Sequence, residues 1–398
     1  MSRRFLLLVI LISVLSGCIP GSSPVASTPE STKTPDKPSE NTPGSVKTIL
    51  HYAKVFSVEY HSTYKVLTVL KPWRNAPSTF TYYLVQRGTP VPEEVGNAVV
   101  IEIPVKRMAS LATTHLPYLE VLNDLDSLVA VGNAEYVNTA GVTSELNMGN
   151  IQSVGNGPDV NIEKLLDSNP EVITTLALGN SGKDDYQILM QKGLKPVIFS
   201  DFMEESPLAR AEWVKFMALF FNQEDEAEKI FKDVEERYLK MKELTENVPT
   251  HPTVLLGYEI NGNWNVPGGR SYQAMYVKDA GGSYLWADDL FSGRVPMSFE
   301  AVMEKGLDAE YWFDQSLKWK SANDFLGADS RYANFRAFKE NHVYNNNARL
   351  SAGGGNDYNG SGLVHPEKIL ADLISILHPE ILPGHKLEYY RHIDSGQK

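Results

Sequence analysis

Residues 225–246 read DEAEKIFKDVEERYLKMKELTE and contain neither Gly nor Pro. Ala227, Ile230, Phe231, Val234, Tyr238, Met241 and Leu244 recur at steps of three or four. That is one apolar stripe of helical period. Glu228 stands four places before Lys232, and Glu236 four before Lys240, a favourable pairing on an exposed helical face. At about 1.5 Å per residue the stretch predicts a rod of roughly 33 Å, the width of a small domain. Pro249 and Pro252 close it. On both sides short apolar runs alternate with helical patterns, so the rod reads as a connector between two similar halves.

With 398 residues the chain has length for two domains, each with its own core. The net charge of −12 (49 acidic against 37 basic residues) and the lack of any Lys/Arg-rich run argue against a nucleic-acid partner. Cys18 is the only cysteine, which excludes an internal disulfide and a CxxC metal site.

Cys18 lies in the sharpest local signal. Arg3 and Arg4 precede an apolar run over residues 5–15, and Leu15-Ser16-Gly17-Cys18 follows. A basic start, a short apolar stretch and small residues before a cut describe a secretory signal, too short to span a bilayer comfortably. Residues 19–45 carry Pro24, Pro29, Pro35, Pro38 and Pro43 among Ser and Thr, with almost no large apolar side chain. Such a segment buries too little surface to fold and reads as a semi-extended tether.

Residues 47–103 form β-branched and aromatic runs at 49–60, 64–70, 79–86 and 98–103, expected as added hairpins. Trp73 and Arg74 fall between two of them, where a packed turn is the favoured reading over a ligand-lining one. From Lys106 strands alternate with helices, the pattern of a parallel sheet. After the rod the pattern returns, with a loop of Asn, Gly and Trp up to Gly269 and a second Gly/Asn-rich loop over 346–362. A weak repeat links the halves: Asn161 and Ser298 each cap a helix, and Glu163 and Glu300 follow two places later. On residues alone, dipole compensation in a first turn accounts for both glutamates.

This arrangement resembles the substrate-binding proteins of ABC importers for ferric siderophores, haem and cobalamin, the class III or helical-backbone periplasmic binding proteins. The likeness rests on residues 107–131 (RMASLATTHLPYLEVLNDLDSLVAV), on 158–163 (PDVNIE) with 169–173 (NPEVI), and on the 343–380 run with Asn345-Asn346-Asn347 and Gly354-Gly355-Asn356-Asp357. It spans about 106–380 and leaves 47–103 outside the common core. Leu15-Ser16-Gly17-Cys18 is similar to a lipobox, in which the Cys carries the lipid.

The resemblance implies an α/β fold: two Rossmann-like lobes joined by one long α-helix, with extra N-terminal β-hairpins. The implied division is a signal peptide at 1–18, a tether at 19–46, an N-terminal lobe at 47–204, linking helices at 205–248 and a C-terminal lobe at 249–398. It also implies a monomer, lipid-anchored through Cys18 on the extracytoplasmic face of the cell membrane. Its partners would be an ABC permease dimer with ATPase subunits. Its ligand would be a metal chelate (ferric siderophore, haem or cobalamin), with no cofactor and no catalysis. Glu163 and Glu300 match the glutamates that dock on permease arginines in this family. An exposed acid at a rigid helix start suits bidentate pairing with Arg.

The ligand is expected between the lobes, at loops following strands. Candidate contacts are Tyr136, Asn156, Trp264, Arg270, Tyr272, Arg294 and Arg349. Aromatic faces cover flat ligands and guanidinium groups pair with carboxylates. Trp264 and Arg270 lead the set, because a loop so rich in Gly and Asn gives a Trp no evident packing role. His115, His342 and His365 form no HxxxH pair, which disfavours direct metal ligation. Gly353-Gly354-Gly355 lacks the Lys-Ser/Thr of a phosphate-binding loop, and no GxSxG elbow is present. An extracellular chelatase or hydrolase, or a sensory lipoprotein, is the alternative on the same scaffold. Turnover of ligand would mark the enzyme, and failure to stimulate a permease ATPase would mark the sensor.

Overall fold

The computed structural model describes residues 46–394 apart from Asn97, Asn261 and Lys318. The signal segment, Cys18 and nearly all of the tether lie outside the described residues.

Two five-stranded sheets form the lobes. In the N-lobe the order is Gln152–Ser153, Leu128–Val131, Met108–Ser110, Val172–Thr175 and Pro196–Ile198, all parallel. In the C-lobe Ser283–Tyr284, Thr253–Leu256, Tyr311–Asp314 and Val343–Asn345 are parallel, and Arg391–His392 closes the edge antiparallel. Val172–Thr175 and Tyr311–Asp314 are buried along nearly their whole length, as strands inside parallel sheets are.

The rod is a single helix, Glu224–Glu243. Ala227, Phe231, Val234 and Tyr238 are its buried apolar face, at steps of four, three and four. The first three enter the N-lobe core and Tyr238 the C-lobe core, so one helix is shared by both. Each such large side chain gains about 1.5–3 kcal/mol on full burial. Tyr238 Oη also donates to Asp279 Oδ2 at 2.9 Å, and Arg237 Nε to Glu367 Oε1 at 3.1 Å on the last helix, Pro366–Leu377. Leu244, the end of the expected stripe, is exposed.

The expected hairpins are one four-stranded sheet: Phe56–Tyr60, Tyr64–Val69, Phe80–Gln86 and Val99–Ile103. Only the first three strands form a meander, because the fourth runs parallel to the third after a crossover. Two buried carboxylates clasp this sheet to the linking helices. Glu212 accepts the backbone N–H groups of His51, Tyr52 and Ala53 at 2.7–2.9 Å. Glu204 accepts those of Lys54 and Val55, and Trp213 Nε1–H at 3.1 Å. Burial pushes the Glu204 carboxyl up to about 7 in spite of those donors. Lys65, buried on the sheet, meets Glu224 at the start of the rod.

The expected linking helices begin as two short pieces, Pro207–Ala211 and Trp213–Ala218, ahead of the rod. Sequence reading also missed the helix Ala140–Met148 and a three-stranded antiparallel sheet of Tyr258–Ile260, Asn263–Pro267 and Arg294–Met297.

Candidate functional site

The strands of the N-lobe end at the boundary with the C-lobe, and their following segments build one wall of a cleft of about 490 Å³. Thr114, Leu176, Leu178 and the 201–203 turn come from that side. Tyr272, Gln273 and residues 292–294 come from the C-lobe. Thr114 and Asn359 are shared with a second cavity of about 560 Å³, so the two are ends of one inter-lobe cleft.

A buried ion pair stands at the cleft. Arg210 reaches Asp201 Oδ2 through Nε at 3.1 Å and Nη2 at 2.7 Å, and its guanidinium lies 4.3 Å from the Tyr272 ring centroid. Burial of both partners makes each depend on the other. Behind this wall His115 is fully buried, its Nδ1 3.1 Å from Thr174 Oγ1 and its ring against Phe199. Desolvation lowers its pKa to about 3, so it is neutral. Among the described residues no three His, Cys, Asp or Glu side chains gather as a metal site.

The third wall comes from the appended sheet. Trp73 and Arg74, in the turn after Tyr64–Val69, line the cleft rather than filling a closed turn. Ser200 Oγ donates to the Pro72 carbonyl at 2.9 Å and fixes the turn on the N-lobe. The Trp73 ring packs 5.8 Å from Phe80 and 5.9 Å from Tyr186, while Arg74 crosses to the C-lobe and lies 3.7 Å from the Phe291 ring centroid.

At the other end the Gly/Asn-rich loop latches the lobes. Ser351 Oγ donates to the Glu135 carbonyl at 2.6 Å, Gly353 N–H to the same oxygen at 3.2 Å, and Asn138 Nδ2 to the Gly355 carbonyl at 2.9 Å. A Cβ on Gly353 would sit 2.6 Å from Glu135 Cβ, and one on Gly355 would strike the Tyr136 carbonyl. The glycines are there because two main chains meet.

Of the seven expected contacts, Tyr272 and Arg294 line the main cavity and Tyr136, 39% exposed, lines the second. Asn156 borders an adjoining cavity of about 370 Å³ that shares Leu176 and Leu178 with the main one. Trp264 is a correction: it is 1% exposed, on the strand Asn263–Pro267, packed against Trp312, Tyr332, Phe299 and Phe335. The expected loop is a strand paired with residues 294–297, and its alternation turns Trp264 into the core. Arg270 is exposed and does not line the cleft. Arg349 pairs with Asp357 at 2.8 Å and Glu388 at 2.6 Å, bracing the latch loop. Trp73 and Arg74 are the cleft residues the sequence undervalued.

Glu163 and Glu300 are exposed, each in the first turn of its helix. Asn161 accepts Lys164 N–H at 3.0 Å and Ser298 accepts Ala301 N–H at 3.2 Å, so side-chain caps fix both helix starts. Glu300 lies 3.5 Å from Arg331, which is held more closely by Asp329 at 2.6 Å.

The family model described as periplasmic binding protein matches residues 109–350. The chain belongs to the periplasmic binding protein family. As in other class III members, two α/β lobes are joined by a long helix. The appended sheet lies outside the matched span. An uncharacterized lipoprotein of Methanocaldococcus jannaschii is 27% identical over 410 residues, covering 97% of this periplasmic binding protein and 94% of its own length. A second from that organism is 24% identical, covering 98% and 99%. Among solved structures, a possible iron-binding periplasmic solute-binding protein of Staphylococcus epidermidis superimposes with TM-score 0.54 at 15% identity, over 69% of this chain and 99% of its own. A periplasmic haem-binding protein of Pseudomonas aeruginosa gives 0.54 at 17%, over 69% and 93%.

Proposed function

We propose that this periplasmic binding protein captures a metal chelate (a ferric siderophore, haem or a corrinoid) in the inter-lobe cleft and delivers it to an ABC permease with its ATPase subunits. The observation that carries this reading is the cleft walled by both lobes, with its main chamber of about 490 Å³ and second chamber of about 560 Å³. Ligand sites of this kind run to roughly 300–1,000 Å³. The iron-binding and haem-binding descriptions of the S. epidermidis and P. aeruginosa proteins support the ligand class. Glu163 and Glu300, one exposed on each lobe at a capped helix start, would present carboxylates to permease arginines. Cys18 would carry a lipid that holds the protein on the extracytoplasmic face, in keeping with the two relatives named lipoproteins.

The test has two arms. Protein purified from its native host should carry a chromophore whose visible bands and mass identify the chelate. Glu163→Ala combined with Glu300→Ala should keep chelate affinity and abolish uptake. Normal uptake by the double variant would refute docking through these glutamates.

A further inference from the structure

Arg74 and Arg294 stand out among the charges of the cleft. The main chamber is lined by Arg74, Arg210 and Arg294 against one acid, Asp201, in a chain whose net charge is −12. Arg210 is already neutralised by Asp201 at 2.7 Å. Among the described residues neither Arg74 nor Arg294 has a carboxylate partner. Each is instead held on an aromatic face, Arg74 at 3.7 Å from the Phe291 centroid and Arg294 at 5.1 Å from that of Tyr258. Such contacts fix a guanidinium without discharging it. The Arg74 guanidinium abuts Gly293, the residue before Arg294, and a side chain at 293 would collide with it.

Two guanidinium groups on one cleft, each without a carboxylate partner and each held on an aromatic face, suit an anionic ligand, since guanidinium pairs bidentately with carboxylate-like oxygens. We infer that Arg74, supplied by the appended sheet, and Arg294, supplied by the C-lobe, together select an anionic chelate, one whose rim carries ionised carboxylate or catecholate oxygens. Trp73 beside them offers a flat face to the body of the same ligand. The appended sheet is on this reading a specificity element, attached outside the span that matches the family. The inference rests on the chelate-binding reading and narrows it.

Calorimetry of the full chain in detergent with three probes tests this: ferric citrate (anionic), ferrioxamine B (cationic) and cyanocobalamin (neutral). The wild type should prefer ferric citrate, with an affinity that falls as salt rises. Arg74→Gln and Arg294→Gln should each weaken ferric citrate more than tenfold and leave the other two within twofold, so the selectivity ratio collapses. Arg74→Lys should retain most of the preference, since it keeps the charge. A wild type that prefers ferrioxamine B or cyanocobalamin would overturn anion selection and leave chelate capture standing. Equal weakening of every probe by Arg74→Gln would also overturn it, reducing Arg74 to a lobe contact. Failure of all three probes to bind would sink the chelate reading together with this inference.

Discussion

The hydroxyl of Ser351 donates to the main-chain carbonyl of Glu135 at 2.6 Å, binding the C-lobe loop to the N-lobe at the mouth of the cleft. This bond and the two beside it tie the lobes together through main-chain and side-chain groups. Removing one ordinary hydrogen bond costs about 0.5–1.5 kcal/mol, so Ser351→Ala should speed ligand release by about two- to tenfold. Stopped-flow dissociation reads this directly. A release rate equal to wild type would mean that the latch does not hold the ligand in.

Trp264 belongs to the C-lobe core. Trp264→Ala should lower unfolding free energy by about 3–5 kcal/mol, the usual range for truncating a large buried aromatic. The affinity of the fraction that remains folded should be unchanged. Denaturant titration paired with calorimetry separates the two effects, and a variant of normal stability with weakened binding would restore Trp264 to the site.

Glu212 serves a structural role through charge. It gathers three N–H groups of the 51–53 segment and pairs with buried Lys215 at 3.1 Å. Breaking such a buried set by removing one partner costs about 3–5 kcal/mol, the expected loss for Glu212→Ala. Hydrogen exchange should rise first in the appended sheet. Protection lost evenly over the whole chain would count against a local clasp.

His115 gives a pH signature. Unfolded, its imidazole takes a proton near pH 6.5, whereas burial holds it back to about 3 in the folded chain. Between these values the unfolded state binds about one more proton, so stability falls as pH falls. The slope attributable to this residue is about 1.4 kcal/mol per pH unit. Asp314 and Glu204, both raised to about 7 by burial, act in the opposite sense. They are present in both proteins when wild type is compared with His115→Leu. The difference in stability should therefore shift in favour of the variant from pH 6.5 downward. Parallel stability curves would show that His115 is protonated in the fold.

Local patterns made the rod, the two halves and the helix caps legible in the sequence. Phe231, Val234 and Tyr238 are buried at the spacing that announced them, and Asn161 and Ser298 cap the helices assigned to them. What stayed hidden depends on partners distant in the chain. Trp264 reads as a loop residue until its strand pairs with one some thirty places later, opposite Met297. Gly353 and Gly355 look like loop filler until the main chain of residues 135–136 is placed against them. Trp73 and Arg74 sit in a turn, and contacts far along the chain, among them the Ser200–Pro72 bond and the packing of Trp73 on Tyr186 and Arg74 on Phe291, carry that turn over the cleft. No periodicity records such contacts.

The clasped sheet has a consequence for how this protein can diversify. The turn between Tyr64–Val69 and Phe80–Gln86 is secured at its base by strands and at its flank by Ser200, yet its tip belongs to neither lobe's core. Substitutions at positions 73 and 74 can therefore change what the cleft presents without disturbing the helix starts at Glu163 and Glu300 or the helix that links the lobes. In such a scaffold the lining of the cleft can drift through a single exchangeable loop while both lobes and the helix that joins them stay as they are.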